Sequence, residues 1–433
     1  MATLSTRRRA LPVLAGVVAL GLLGTACGGG SSDGGSGGKT TITFANWADT
    51  EPATQAGLRK LIGAFEQAHP DIKVKSQPIS FTDIEQRLLL QVRSGNAPDV
   101  AELAGNDTFA TAETQALQPL DQLAGSAYEQ SIIPAELQLG KVDGKLVAVP
   151  WTVGPVGLWY NKKVLKDAGV DPAVPPTTWD ELLADAKAVH EKNPKTIALG
   201  LDSTDRTFGL DTNWPIIKSF GGQPFQGSQA TASSPGFTAY LDFVRKIARS
   251  GYTPVNQKAG FFRQPAASDQ VAFTVDGPYL KSVVQSTAKL TDQQFYDTWG
   301  VAPLPAASGQ QHYSVATDHQ LVLFKSSKHQ QAAWEFMKFL STSPEGIQYT
   351  ITSEGSLPPV AQPGGDVAAA LDNPVAKAFR EQIIPLVTRP EWGATYAKAY
   401  SPVMAAVQSA MTGSQSTDAI ASGLQSDLKP ALQ

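Results

Sequence analysis

Six aromatic side chains stand where the chain turns: Trp47, Trp151, Trp214, Tyr279, Trp392 and Tyr400. Trp47 follows a polar–apolar alternation, Trp151 follows Pro150, Trp214 precedes Pro215, Tyr279 follows Gly277-Pro278, and Trp392 comes just after Pro390. A ring at the mouth of a strand can lie flat on the apolar C–H face of a sugar, and it loses little entropy in doing so. Asp49, Asp107 and Asp276 fall close to such positions, and a carboxylate accepts strong hydrogen bonds from hydroxyls. Singly, each ring is as well explained by a core or a lid. Together they suggest a cleft that recognises rings by stacking. Covalent chemistry has no comparable signature. The chain lacks an H-E-x-x-H pair and a phosphate-cradling P-loop, and no G-x-S-x-G turn is set between a strand and a helix. Acidic residues are plentiful, but no spacing singles out a glycosidase pair.

Composition narrows the classes further. The 433 residues carry a net charge of -4 and no basic excess, which argues against nucleic acid and anionic lipid as partners. Five scattered His and one Cys make a structural zinc site improbable and an internal disulfide impossible. The length calls for two or three domains with ample core.

The elements that must hold the aromatics alternate in type. Thr41-Ile42-Thr43-Phe44 reads as a strand, and Leu58, Leu61, Ile62 and Phe65 follow at helical spacing. Ile72-Lys73-Val74 gives a second strand, Ile84, Leu88 and Val92 stripe a second helix behind a Thr82–Glu85 capping box, and residues 99–103 form a third strand. Further on, Thr178-Trp179-Asp180-Glu181 caps another helix. Ser234-Pro235 opens one that carries Phe237, Tyr240, Leu241 and Val244, and residues 332–340 form an apolar helix. This alternation predicts an α/β architecture, a parallel sheet with helices on its faces.

The N-terminus reads as an address. Arg7-Arg8-Arg9, an apolar run over residues 10–24 and the sole Cys, Cys27, resemble a bacterial lipoprotein signal, although Gly24 stands where such signals usually place Leu. An incidental Cys after an ordinary secretory signal is the other reading. Residues 28–38 are nearly all Gly and Ser, a flexible tether with a reach of about 18 Å. The expectation is a signal over 1–27 that ends in a lipidated Cys27, a tether over 28–38, and a domain held at the outer face of the cell membrane.

Three ordered stretches, Asp143-Gly144-Lys145-Leu146-Val147-Ala148-Val149-Pro150-Trp151, Leu158-Trp159-Tyr160-Asn161-Lys162 and Pro176-Thr177-Thr178-Trp179-Asp180-Glu181-Leu182, resemble family 1 of the extracellular solute-binding proteins. Supporting pieces are Ser94-Gly95-Asn96-Ala97-Pro98-Asp99-Val100, Asp276-Gly277-Pro278-Tyr279 and Gly300-Val301-Ala302-Pro303-Leu304-Pro305. The resemblance implies a periplasmic-binding-protein-like fold of two α/β lobes with a hinge and a ligand cleft between them. Residues 39–153 and 304–349 would form one lobe, and 154–303 and 350–433 the other. It implies a monomer that binds a sugar or short oligosaccharide, needs no cofactor or metal, catalyses nothing, and serves the permease of an ABC-type importer. By the same pattern Asp107 grips hydroxyls, Trp214, Tyr279 and Tyr400 stack on the ligand, Trp47 and Trp151 line the cleft, and Arg389 contacts sugar. Gly154 stands where maltodextrin binders carry Glu, which puts maltodextrin itself in doubt as the ligand. The rivals are a glycerol phosphoester or a polyamine as the solute, and a secreted glycoside hydrolase. The phosphoester needs cationic contacts, the polyamine needs a more acidic cleft, and the hydrolase needs two carboxylates about 5–10 Å apart.

Overall fold

Two sheets, each with its own core, organise the chain. The computed structural model describes residues 39–433 apart from 53, 82, 391 and 392, so Cys27, its tether, Thr82 and Trp392 lie outside the described residues. The first sheet has the order Ile72–Pro78, Thr40–Asn46, Val100–Ala104, His319–Leu323, Ala148–Thr152. Its first three strands run parallel, and His319–Leu323 pairs antiparallel with both of its neighbours. The second sheet has the order Trp299–Ala302, Gly157–Asn161, Val271–Asp276, Ile197–Gly200; Gly157–Asn161 runs antiparallel to both neighbours and only the last pair is parallel, so both sheets are mixed rather than parallel as the alternation suggested. Helices flank both, and among the described residues no helix is long and apolar enough to cross a membrane.

Local sequence explains these elements. Thr40–Asn46 buries Ile42 and Phe44 on one face, and helix Gln55–Ala68 buries Leu58, Leu61 and Phe65 against it. Phe44 then packs edge-on to Trp151 and Phe336, forming the first core. The expected capping box at Thr178 is present and opens helix Trp179–Lys192. At helix Ile84–Arg93 the N-cap is Asp83, which makes no side-chain cap bond. Ser234 precedes helix Pro235–Arg249 as expected, and helices Ala394–Thr412 and Thr417–Ala431 pack on it in the second core.

The lobes are joined by three chain segments lying side by side. Val153 exchanges backbone hydrogen bonds with Leu357, at 2.8 and 3.1 Å. Pro155 bridges Ala316, and Thr317 N–H donates to Gly154 O at 3.1 Å. Buried Asp318 accepts from Gly154 N–H at 2.7 Å. A Cβ on Gly154 would meet Thr317 O at 3.2 Å and the Tyr279 ring at 3.4 Å, so close approach of these segments favours glycine there.

Candidate functional site

Between the lobes lies a cleft of about 500 Å³, within the ~300–1,000 Å³ usual for ligand sites. Trp47, Phe81 and Asp107 come to it from the first lobe, and Phe208, Tyr279 and Tyr400 from the second. Trp47 directly follows the first strand, and its N–H and that of Ala48 donate to Glu102 Oε2 at 3.0 and 3.2 Å. The Trp47 ring meets Phe81 edge-on at 5.2 Å and His319 at 4.9 Å. Trp47 is 3% exposed and Phe81 39%, so Phe81 offers the open face and Trp47 backs it.

On the opposite wall the Gly277-Pro278 turn sets Tyr279. A Cβ at Gly277 would stand 2.5 Å from the Tyr279 ring, so this ring position requires a glycine. The phenol hydroxyl shares a 2.9 Å hydrogen bond with Thr317 Oγ1, which ties the ring to the hinge. The Arg263 guanidinium lies 4.7 Å from the ring centroid, a cation–π distance. It is held there by two bonds, 2.9 and 3.0 Å, to Asp276.

The electrostatics of the cleft are those of crowded carboxyls. Burial pushes Asp107 well above the usual carboxylate range, and Glu85 and Asp211 push it further. Burial raises Glu51 as well. Glu354 is pushed up to about 7, by burial first, with His319 opposing and Glu102 adding. Burial alone would lower the His319 imidazole, but its bond to Glu102, 2.9 Å away, and the nearby Glu354 lift it to about 9. Glu102, His319 and Glu354 offer ligand atoms within 4.8 Å of one another. The His319 ring stands 2.9 Å from Glu102 and 4.0 Å from Glu354, so the three form a charge cluster behind Trp47.

Of the residues expected from sequence, Trp47, Asp107, Tyr279 and Tyr400 border this cleft. Of the others, Trp392 lies outside the described residues and the rest sit elsewhere, for physical reasons. Pro150 and Trp151 lie inside strand Ala148–Thr152, on the edge of the sheet, where a missing N–H is tolerated. Trp151 is fully buried and stacked at 5.4 Å on Tyr349. Trp214 is 1% exposed within helix Thr207–Ser219, packed 5.3 Å from Phe225 in the second core, so it is not a stacking surface. Asp49 is bound to Ser76 at 2.9 Å and Arg59 at 3.2 Å and closes the turn after the first strand. Asp276 positions Arg263 and does not border the cleft. Arg389 lies over Phe109 at 4.5 Å and donates to Lys141 O at 3.3 Å. Sequence reasoning missed Phe81, Phe208, Arg263, His319 and Glu354. No local motif marks them, because the site assembles from positions as far apart as Trp47 and Tyr400.

Comparison with known proteins is consistent with this geometry. A family model described as bacterial extracellular solute-binding protein matches residues 48–347. A maltotriose-binding protein from Pyrococcus abyssi is 24% identical over 357 residues, 78% of this chain and 70% of its own length. The GacH receptor of Streptomyces glaucescens, solved unliganded and with acarbose, superposes with a TM-score of 0.77 at 24% identity, covering 91% of this chain and 98% of that one. UgpB from Mycobacterium tuberculosis, solved with glycerophosphocholine, gives 0.77 at 21% identity, covering 91% and 99%.

Proposed function

The chain belongs to the bacterial extracellular solute-binding proteins, and from that premise we propose that it captures a sugar or short oligosaccharide between its lobes and delivers it to a membrane permease. The observation that carries this reading is the pairing of aromatic faces from both lobes, Phe81 over Trp47 on one side and Tyr279 and Tyr400 on the other, around a cavity bordered by hydroxyl-accepting carboxyls. Such walls suit a ring with apolar faces and a polar rim. The mechanism is a population shift: ligand touching both walls stabilises the closed arrangement over the open one. A phosphoester fits less well, because Arg206 and Arg263 are each already bound to a buried Asp. Enzymatic chemistry is not needed for this role, and the family is one of binding proteins for transport.

A thermal-shift screen over mono- and oligosaccharides tests the reading, since a ligand bound to the folded state raises its melting temperature. A rise with a sugar and none with glycerol phosphoesters is expected. A rise confined to phosphoesters would overturn it. Anchoring through a lipidated Cys27 completes the proposal. Cys27→Ser is expected to move the protein from the membrane fraction to the medium, and unchanged membrane retention would refute the anchor.

A further inference from the structure

We infer that the saccharide this cleft takes carries a positive charge, in the form of a protonated amine. The inference deepens the sugar-binding reading and rests on it. Glu51, Glu85, Asp107, Asp205, Asp211 and Glu354 all border the cavity. Asp318 borders it too, but its carboxyl is engaged with Gly154 N–H and the buried Glu136. Among the described residues three basic side chains border the cavity, Arg206, Arg263 and His319. Each is held from behind by a carboxylate whose side chain is 0% exposed: Arg206 by Asp202 at 3.2 Å, Arg263 by Asp276 at 2.9 Å, and His319 by Glu102 at 2.9 Å. These three pairs absorb most of the positive charge of the wall.

The donors recorded on three of these carboxyls are neutral. Asn106 donates to Asp107 at 2.8 Å, Ser401 to Asp205 at 2.8 Å and Tyr349 to Glu354 at 2.5 Å. Such bonds satisfy lone pairs without cancelling charge. His319 also stands 4.0 Å from Glu354, but one imidazolium then serves two carboxyls. Arg263 is sensed by Glu51, yet both of its recorded bonds go to Asp276.

Like carboxyls brought together out of water can be relieved in two ways. One is to hold protons more tightly, the direction in which burial and neighbouring carboxyls push Asp107. The other is to face an ammonium in the occupied cleft. A neutral sugar uses one or two carboxylates as hydroxyl acceptors and leaves the rest of this wall unrelieved. Phe208 and Tyr400 border the same cavity, and their ring faces attract a cation. An anionic solute is repelled by the wall. A linear polyamine would satisfy the charge but leave the stacking faces without a flat partner.

The test is titration calorimetry of the full chain against sugars that differ only at C2. Glucosamine, N-acetylglucosamine and glucose form one series. Their β-1,4 disaccharides (amine, acetamide and hydroxyl) form the second, with spermidine alongside. At pH 6.5 the amine is expected to bind at least tenfold more tightly than its neutral partners. That margin should shrink at least threefold in 0.5 M salt and again in Glu85→Gln. Equal or tighter binding of a neutral partner would overturn the charge inference and leave the sugar reading standing. Binding of spermidine with every sugar ignored would overturn both. A second readout needs no ligand. If the wall holds excess negative charge, Glu85→Gln raises the melting temperature of the unliganded chain at pH 8. An unchanged or lower melting temperature would overturn the inference even where no probe binds.

Discussion

Removing the charge from His319 should weaken the fold and loosen the cleft together. The ring sits 2.9 Å from Glu102, whose side chain is 0% exposed. The other Glu102 oxygen accepts from the N–H groups of Trp47 and Ala48. An imidazole ordinarily titrates near 6.5, and this one is lifted to about 9. A tenfold change in proton affinity is about 1.4 kcal/mol, so the rise corresponds to about 3 kcal/mol of stability. The folded state holds this proton more tightly than the unfolded chain does. The contribution is therefore complete below pH 6.5 and is lost as pH climbs through 9. Denaturant unfolding of the wild type and His319→Gln across pH 6–9.5 checks it. The wild type is expected to lose most of that ~3 kcal/mol relative to the variant over the interval. Ligand affinity should decline over the same interval, because an uncompensated Glu102 no longer fixes Trp47. Parallel stability curves, or a His319 ring that titrates near 6.5 by NMR, would refute the reasoning. Glu354, pushed up to about 7 and interacting with His319, acts in the same direction: stability falls as pH rises from its ordinary 4.5 through 7.

Other predictions follow from placement. Trp214→Ala should cost about 3–5 kcal/mol of stability and leave the affinity of the folded fraction near normal; a large affinity loss without a change in melting temperature would return Trp214 to the cleft. Tyr279→Ala should lower affinity by about thirtyfold, or about 2 kcal/mol, read by calorimetry, and undiminished binding would exclude it as a stacking wall. Asp107→Ala should cost about 1–3 kcal/mol in binding with little effect on the unliganded melting temperature, since it removes a carboxyl that burial already strains. Small-angle scattering should show a smaller radius of gyration at saturating ligand, and an equal radius in both states would count against closure.

The architecture was largely legible because its signals are local. The spacing of Leu58, Leu61 and Phe65, the Thr178–Glu181 capping box and the Ser234-Pro235 start each settle within one or two turns of chain, and each is realised. Proline was the misleading signal. Beside Trp151 and Trp214 it suggested turns, yet Pro150 occupies an edge strand and Pro215 lies inside a helix. In both places the surrounding packing tolerates the lost N–H, so the neighbouring Trp is core. Gly277-Pro278 is a turn, and it sets the Tyr279 ring at the border of the cleft. The charge cluster was illegible for a different reason. Nothing near Glu102 in sequence indicates that His319 and Glu354 will be its neighbours, because that contact exists only once the first sheet closes and the third crossing returns.

The three segments at the joint, paired at Val153 with Leu357 and Pro155 with Ala316, give the molecule one mechanical freedom. A single connecting strand permits torsion as well as bending. Three strands laid edge to edge stiffen against torsion and leave bending across their width. If the lobes close as proposed, the walls are expected to meet in one registry, with Phe81 and Trp47 brought toward Tyr279 rather than sideways past it. Selectivity in such a device resides in the gap at full bend. A solute too thick leaves the jaws ajar, one too thin leaves them without contact on one side, and the outer contour of the protein becomes a readable gauge of what it holds.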